Sequence, residues 1–338
     1  MRVTRLHGCA TWFTSYLTIL KTIGTPSAMK QEQIIDPIDI RLIEQELTPE
    51  RFLRKTNKAG NEIYIIDAHN SPHVMQEIGR LREIAFRHAG GGTGKACDID
   101  EFDTMHPACQ QLLVWNPDDR EIIGAYRFIL GSNMQFDSNG SPIIAMAHMF
   151  HFSPQFITDF LPGTLELGRS FVTPEYQSSR VGAKGIFALD NLWDGLGALT
   201  VIHPEIKYLF GKMTMYTSYP VDCRNLLLAF LHLYFPDRDR LVTPIHPLDT
   251  GHDLNEVASF FVGNDFNTDY RRLNTYIRNK GINIPPLVNA YMSLSPTMRM
   301  LGTAINHEFG DVEESGILIK IDEIADAKKS RHIDTFHA

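Results

Sequence analysis

A chain of 338 residues with 43% hydrophobic and 21% charged residues has the composition of a soluble globular protein with a sizeable core. Its net charge of −8 and pI near 5.9 exclude non-specific nucleic-acid binding, which needs a basic face, and beyond residue 28 no stretch approaches the roughly 20 apolar residues of a spanning helix. The four cysteines, Cys9, Cys97, Cys109 and Cys223, include no CxxC pair, so neither a disulfide framework nor a cysteine zinc site is suggested, and a reducing compartment is the simpler reading.

Residues 1–28 place Arg2 and Arg5 ahead of an apolar stretch, "CATWFTSYLTIL", followed by "KTIGTPSAM". They read either as a signal-like segment or, more simply, as sequence ahead of a translation start at Met29. Residues 29–60 are mostly polar and are expected to form a helical lead-in. From 61 to 335 no linker-like shift divides the chain, so a single domain is expected there. "NEIYIIDA" (61–68) reads as a strand, and "VMQEIGRLREIAFRHA", after Pro72, as an amphipathic helix. "GGGTGKACDIDEFD" is a loop, and "QQLLVWN" with "REIIGAYRFIL" a hairpin turned at "PDDR". A short helix, "SPQFITDFL", precedes a marked strand, "TLELGRSFV". Helix "IFALDNLWDGLGALTVI", strand "IKYLFGKMTMY" and helix "VDCRNLLLAFLHLYF" follow. The loop-rich segment 236–257 suggests an insertion or lid. Helices near 268–280 and 286–294 and strands at "TAINHEFG" and "SGILIKIDEI" complete the chain. This order gives a mixed α/β fold around one sheet rather than a regular doubly wound one.

Several constellations could carry chemistry. "AGGGTGKA" (89–96) imitates a phosphate-binding loop, but Ala89 replaces its first glycine and Ala96 its metal-binding hydroxyl. It also follows a helix, so a mobile loop over a site is the better reading. Asp98, Asp100 and Asp103 cluster in "DIDEFD", where they could hold an ammonium group, accept its proton, bind a metal, or simply form a solvated, helix-capping turn. Glu166 and Arg169, three apart on a strand, should point to opposite faces unless a bulge intervenes. One would then face the cleft while the other pairs across the sheet. Arg127 is a charge in an apolar strand and needs a buried carboxylate, either Glu166 or a loop aspartate. The loop "TPEYQSSRVGAKG" runs from strand to helix and offers an anion site at a helix N-terminus. His148, His151, His246 and His252 show no metal-ligand pattern, so no metal is expected.

"LREIAFR", "DIDEFD", "IIGAYRFIL" and "LELGRSFVTPEYQ", in this order and spacing, resemble the ornithine–acyl-carrier-protein N-acyltransferase group. This is a GNAT-fold branch that includes glycine and ornithine lipid synthases and is sometimes labelled hemolysin-like. "YLFGKMTM" and "IPPLVNAYMSLS" extend the likeness over roughly residues 60–325. The first four motifs are shared in outline with acyl-homoserine-lactone synthases. The synthases' tryptophan between first helix and acids is absent here, and the C-terminal part is longer.

The resemblance implies a GNAT-like α/β fold, a central mixed sheet flanked by helices with a C-terminal extension. It also implies direct transfer of a 3-hydroxyacyl chain from acyl carrier protein to an amino acid such as glycine or ornithine, with no cofactor beyond that thioester. Of the matching positions, Glu166, with Asp100 second, is expected as the base. Arg127 or Arg169 would hold the acceptor's carboxylate. Arg82, Phe86 and Asp103 would belong to the substrate site. Backbone amides near Phe171, Val172 and Thr173 would hold the oxyanion. Arg180, Gly182, Lys184, Lys207 and Lys212 are expected to receive the acidic carrier protein and its phosphopantetheine arm. A cytoplasmic enzyme with possible peripheral membrane association fits the lipid product. The alternatives are a lactone-forming synthase, which would need S-adenosylmethionine, and a non-catalytic carrier-protein or lipid-binding protein.

Overall fold

Alternation along "EIIGAYRFIL" sends Tyr126 and Phe128 to one side of a strand and Ala125, Arg127 and Ile129 to the other, a division that governs both layers around the sheet. The computed structural model describes residues 31–177 and 187–337. Helix α1 (Ile40–Glu46) and strands β1 (Phe52–Lys55) and β2 (Glu62–Ile66) lead into helix α2 (Pro72–Ala89) and the one-turn helix α3 (Glu101–Thr104). Strands β3 (Gln110–Asn116), β4 (Glu121–Leu130), β5 (Phe150–Phe152) and β6 (Thr164–Val172) follow, then the short helix α4 (Pro174–Gln177). The second half comprises α5 (Ala188–Ile202), β7 (Tyr208–Met215), α6 (Val221–Tyr234), β8 (Val242–Pro244), α7 (Leu254–Ala258), α8 (Phe266–Asn279) and α9 (Pro286–Leu294). Strands β9 (Arg299–Asn306) and β10 (Val312–Lys320) and helix α10 (Asp326–His332) end it.

Eight strands join one sheet in the order β1-β2-β3-β4-β6-β7-β10-β9. Every neighbouring pair is antiparallel except β6 and β7. That parallel pair needs a long crossover, and α5 lies within it. Val74, Ile78 and Phe86 of α2 pack with Leu113, Ala125 and Phe171 on one face. Leu196, Leu227, Leu273 and Val288, from α5, α6, α8 and α9, pack with Leu112, Tyr126 and Leu167 on the other. Among the described residues no helix is long and apolar enough to cross a membrane.

The lead-in is not wholly helical: Phe52–Lys55 adds an edge strand to β2, with Lys55 opposite Glu62. Segment 236–257 is not a free lid either. Its Val242 pairs with Phe152 in a two-stranded ribbon, and Leu248 N–H donates to Thr303 O at 2.8 Å. The C-terminal part is integral to the sheet, since β10 pairs with β7 from Glu313↔Met215 to Lys320↔Tyr208. Residues 1–28, and with them the choice of start, lie outside the described residues.

The sheet opens at its centre. β6 and β7 pair only from Thr164↔Tyr208 to Leu167↔Gly211, although β6 continues to Val172 and β7 to Met215. The cause is local to β6. Arg127 faces Gly168 and Ala125 faces Phe171, so β6 carries an extra residue against β4, a bulge that bends its strand. Arg169 takes up the bend in the left-handed region, φ 46°. Opposite it, Gly124 leaves room for the bent backbone: a Cβ there would stand 2.4 Å from Phe171 O.

Candidate active site

The bulge decides where Glu166 and Arg169 point. Without it they would face opposite sides; with it, both lie on the α2 face of the sheet, beside Arg127. The expected division of labour, one in the cleft and one pairing elsewhere, is therefore corrected.

Around them lies an ionic chain. Gly79 on α2 admits the aspartate loop closely, since a Cβ there would stand 2.6 Å from Cys97 Sγ. Asp100 and Asp103 form a capping box on α3, and the same carboxylates hold arginines. Arg82 reaches Asp103 at 3.0 Å and Gln111 at 2.6 Å. Arg127 reaches Asp100 at 2.6 Å and Asp103 at 3.4 Å. Arg169 reaches Asp98 at 3.0 Å and Asp100 at 3.4 Å. Burial disfavours the Asp100 carboxylate, but Arg127 and then Arg169 overcome this and hold its pKa well below the usual range. Such a group is a poor proton acceptor.

Glu166 differs. It is 3% exposed, and no hydrogen bond or ion pair among the described residues involves it. Burial raises its pKa above the ordinary glutamate value, against the pull of Arg127 and Lys212. Lys212 is paired with Glu314 on the same sheet face. Four cations (Arg82, Arg127, Arg169, Lys212) thus meet five carboxylates (Asp98, Asp100, Asp103, Glu166, Glu314), and Glu166 is the one in excess. A site short of one positive charge suits an ammonium group.

A cavity of about 380 Å³ passes through the opening between β6 and β7. Its charged end is lined by Arg169, Lys212, Glu314 and Tyr216, with Phe86 and Phe309 as aromatic walls. The Arg169 guanidinium lies 4.7 Å from the Phe309 ring centre. Its other arm, toward α5 and α9, is apolar, with Leu167, Leu209, Trp193 and Ile317. Glu166 does not line the cavity but lies behind Gly168, Oε1 4.0 Å from where a Cβ of that residue would stand.

Several expected site residues take other places. Arg82 and Asp103 are fully buried, pair with each other in the frame and do not line the cavity. Arg127, 2% exposed and 5.5 Å from the Phe102 ring centre, bridges Asp100 and Asp103 and does not line the cavity. The Thr173 N–H is spent on Ile123 O at 2.9 Å, which leaves Phe171 and Val172 at the cavity wall. Lys212 lies inside the cavity, not on a docking surface. Lys207 is exposed but stands just ahead of β7, at the paired end remote from the opening, with Nζ on Pro204 O at 2.8 Å. Arg180, Gly182 and Lys184 lie outside the described residues. The glycine-rich loop is not mobile: Glu83 accepts from Thr93 N–H, Thr93 Oγ1 and Gly94 N–H at 3.1, 2.8 and 2.7 Å. Glu314, Tyr216 and Phe309 went unnoticed in the sequence. A glutamate pair ahead of the apolar run of "VEESGILIK" was the available signal for the first.

A central sheet opened between two parallel strands, with a passage from an ionic cluster to an apolar arm, defines an acyl-transferring enzyme of the GNAT type. The family model described as "Acetyltransferase (GNAT) domain" matches residues 81–184, which span the aspartate loop and the bulged strand. The chain is 61% identical over 305 residues to the glycine N(alpha)-acyltransferase of Bacteroides thetaiotaomicron, covering 90% of each. It is 59% identical to that of Phocaeicola vulgatus, covering 90% of this chain and 94% of that one. The L-ornithine N(alpha)-acyltransferase of Brucella abortus is 30% identical over 142 residues, covering 40% and 44%. The chain belongs to this N(alpha)-acyltransferase family: it is an enzyme that moves an acyl group from a donor to the amino group of an amino acid.

Proposed function

We propose that the enzyme N-acylates glycine with a 3-hydroxyacyl chain delivered as a thioester on acyl carrier protein, the first step towards an aminolipid. The passage through the opened sheet carries this reading, because it joins a charged acceptor end to an apolar acyl arm. The naming of the two full-length relatives supports glycine, and the sequence resemblance supports the carrier-protein donor. The enzyme works from within a cell, with peripheral contact to the membrane that takes up its product.

The acceptor enters at the charged end. Arg169 offers its carboxylate the guanidinium edge not occupied by Asp98 and Asp100. Glu166, behind Gly168, takes the ammonium proton through one water. The amine nitrogen then attacks the thioester carbonyl. Beyond Leu167↔Gly211 the β6 edge facing β7 has no strand to pair with, and the Val172 amide on that edge is placed to hold the oxyanion, whereas Phe171 turns its backbone to β4, its carbonyl against Gly124. Collapse breaks the carbon–sulfur bond and forms the amide; the leaving thiolate takes up a proton. Burial pushes the Cys97 thiol up to about 11 and the Cys109 thiol up to about 12. Neither is poised as a nucleophile, in keeping with direct transfer.

The test incubates the purified protein with 3-hydroxyacyl carrier protein and a mixture of free amino acids, followed by mass spectrometry. N-(3-hydroxyacyl)glycine as the dominant product is expected. A different N-acyl amino acid would overturn the acceptor, and transfer only from a coenzyme A thioester would overturn the carrier protein.

A further inference from the structure

One polar group in the apolar arm has no use in the chemistry just derived. Tyr126, on β4, is 1% exposed, borders the cavity, and its hydroxyl makes no hydrogen bond among the described residues. Buried hydroxyls are nearly always satisfied, and an orphaned one is destabilising. Of the other hydroxyl-bearing residues that line the cavity, Ser170 on β6 and Tyr291 on α9 stand beside Tyr126. Both lie close enough to Tyr126 to perturb its ionisation, and Tyr126 does the same to Tyr291. Both hydroxyls approach the Tyr126 oxygen, but neither meets it in hydrogen-bond geometry. Leu167, Leu209, Trp193 and Ile317 line the same cavity, so the three hydroxyls gather beside apolar walls.

Their position follows from the bulge. Arg127 pairs with Gly168 and Ala125 with Phe171, so Tyr126 alone stands opposite the two bulge residues Arg169 and Ser170. Ser170 immediately precedes Phe171 and Val172, which line the cavity. An acyl chain whose carbonyl sits at that β6 edge carries its first carbons past Ser170 and Tyr126.

We propose that Tyr126, with Ser170 and Tyr291, is a donor-selecting subsite that binds a hydroxyl on the acyl chain close to the thioester carbonyl. This rests on the reading of the apolar arm as the acyl channel. A substituent hydroxyl can accept from one tyrosine and donate to another oxygen, which satisfies the orphan. A plain acyl chain leaves it unsatisfied, and a site whose polar groups are left unpaired discriminates strongly.

The test reads binding without acceptor, so that it does not depend on which amino acid is acylated. Non-hydrolysable 3-hydroxyacyl- and acyl-pantetheine analogues of equal length are titrated calorimetrically into the wild type, Tyr126→Phe and Ser170→Ala. The wild type is expected to bind the hydroxylated analogue about tenfold tighter, the effect of roughly one hydrogen bond. Tyr126→Phe should erase most of that preference and leave the plain analogue's affinity unchanged. Equal wild-type affinities, or a preference that survives Tyr126→Phe, would overturn the proposal. If neither analogue binds any protein although it is folded by circular dichroism, the acyl-channel reading falls and the subsite with it.

Discussion

Replacing Arg127 by methionine should destabilise the enzyme through its electrostatics rather than its packing. The side chain is 2% exposed and bridges Asp100 at 2.6 Å and Asp103 at 3.4 Å. Methionine fills most of the volume, but the two carboxylates lose their shared cation. Breaking a buried ion pair by removing one partner costs about 3–5 kcal/mol. The lower half of that range applies here, because Asp103 keeps Arg82 and Asp100 keeps Arg169. With an unfolding entropy of roughly 2.1 cal/mol/K per residue, 338 residues give about 0.7 kcal/mol/K. Each kilocalorie then lowers the melting temperature by about 1.4 °C, and the variant should melt about 4–6 °C lower by differential scanning calorimetry at neutral pH. Adding Asp100→Asn to Arg127→Met should recover part of the loss, since the stranded charge is removed. An unchanged melting temperature in the single variant, or a further fall in the double, would refute this account of the ionic chain.

Other consequences concern the loop and the channel. Glu83→Ala removes the carboxylate that gathers Thr93 and Gly94, so limited trypsin digestion should cut at Lys95 faster than in the wild type; an unchanged cleavage rate would mean the loop is held by something else. Trp193→Ala should lengthen the apolar arm and shift the preferred donor towards longer chains, read as kcat/KM across a chain-length series. An unmoved optimum would place the chain end elsewhere.

Much of the framework was legible because periodicity and charge are local signals. Arg127 stood out as a cation in "AYRFIL" that had to be neutralised, and the aspartate loop was one of the named partners. Helix α9 was bounded correctly by Pro286 and the change of pattern after Leu294. The bulge was not legible. Its left-handed residue is Arg169, although Gly168 beside it is the residue type that takes that conformation without strain, and one misplaced residue reverses every side chain beyond it. Lysine read as a surface residue misplaced Lys212, whose pairing with Glu314 is set by the β7–β10 register, a long-range fact. Nothing in the sequence singled out Tyr126 or Tyr291, because a hydroxyl on an aromatic ring leaves no trace in hydrophobic pattern.

The central claim is that Glu166, buried behind the cavity wall, is the base that frees the acceptor amine. Single-turnover transfer to glycine by the wild type and Glu166→Gln, measured across pH with saturating donor, tests it most directly. Loss of the base should slow transfer about 10²–10⁴-fold with donor binding unchanged. The wild-type rate should fall on acidification at a pH above the ordinary carboxylate range, because burial raises this group's pKa and only its ionised form accepts a proton; the variant should lack that limb. A variant within threefold of the wild type, with the same acid limb, would contradict the assignment and shift the search for the base to Glu314.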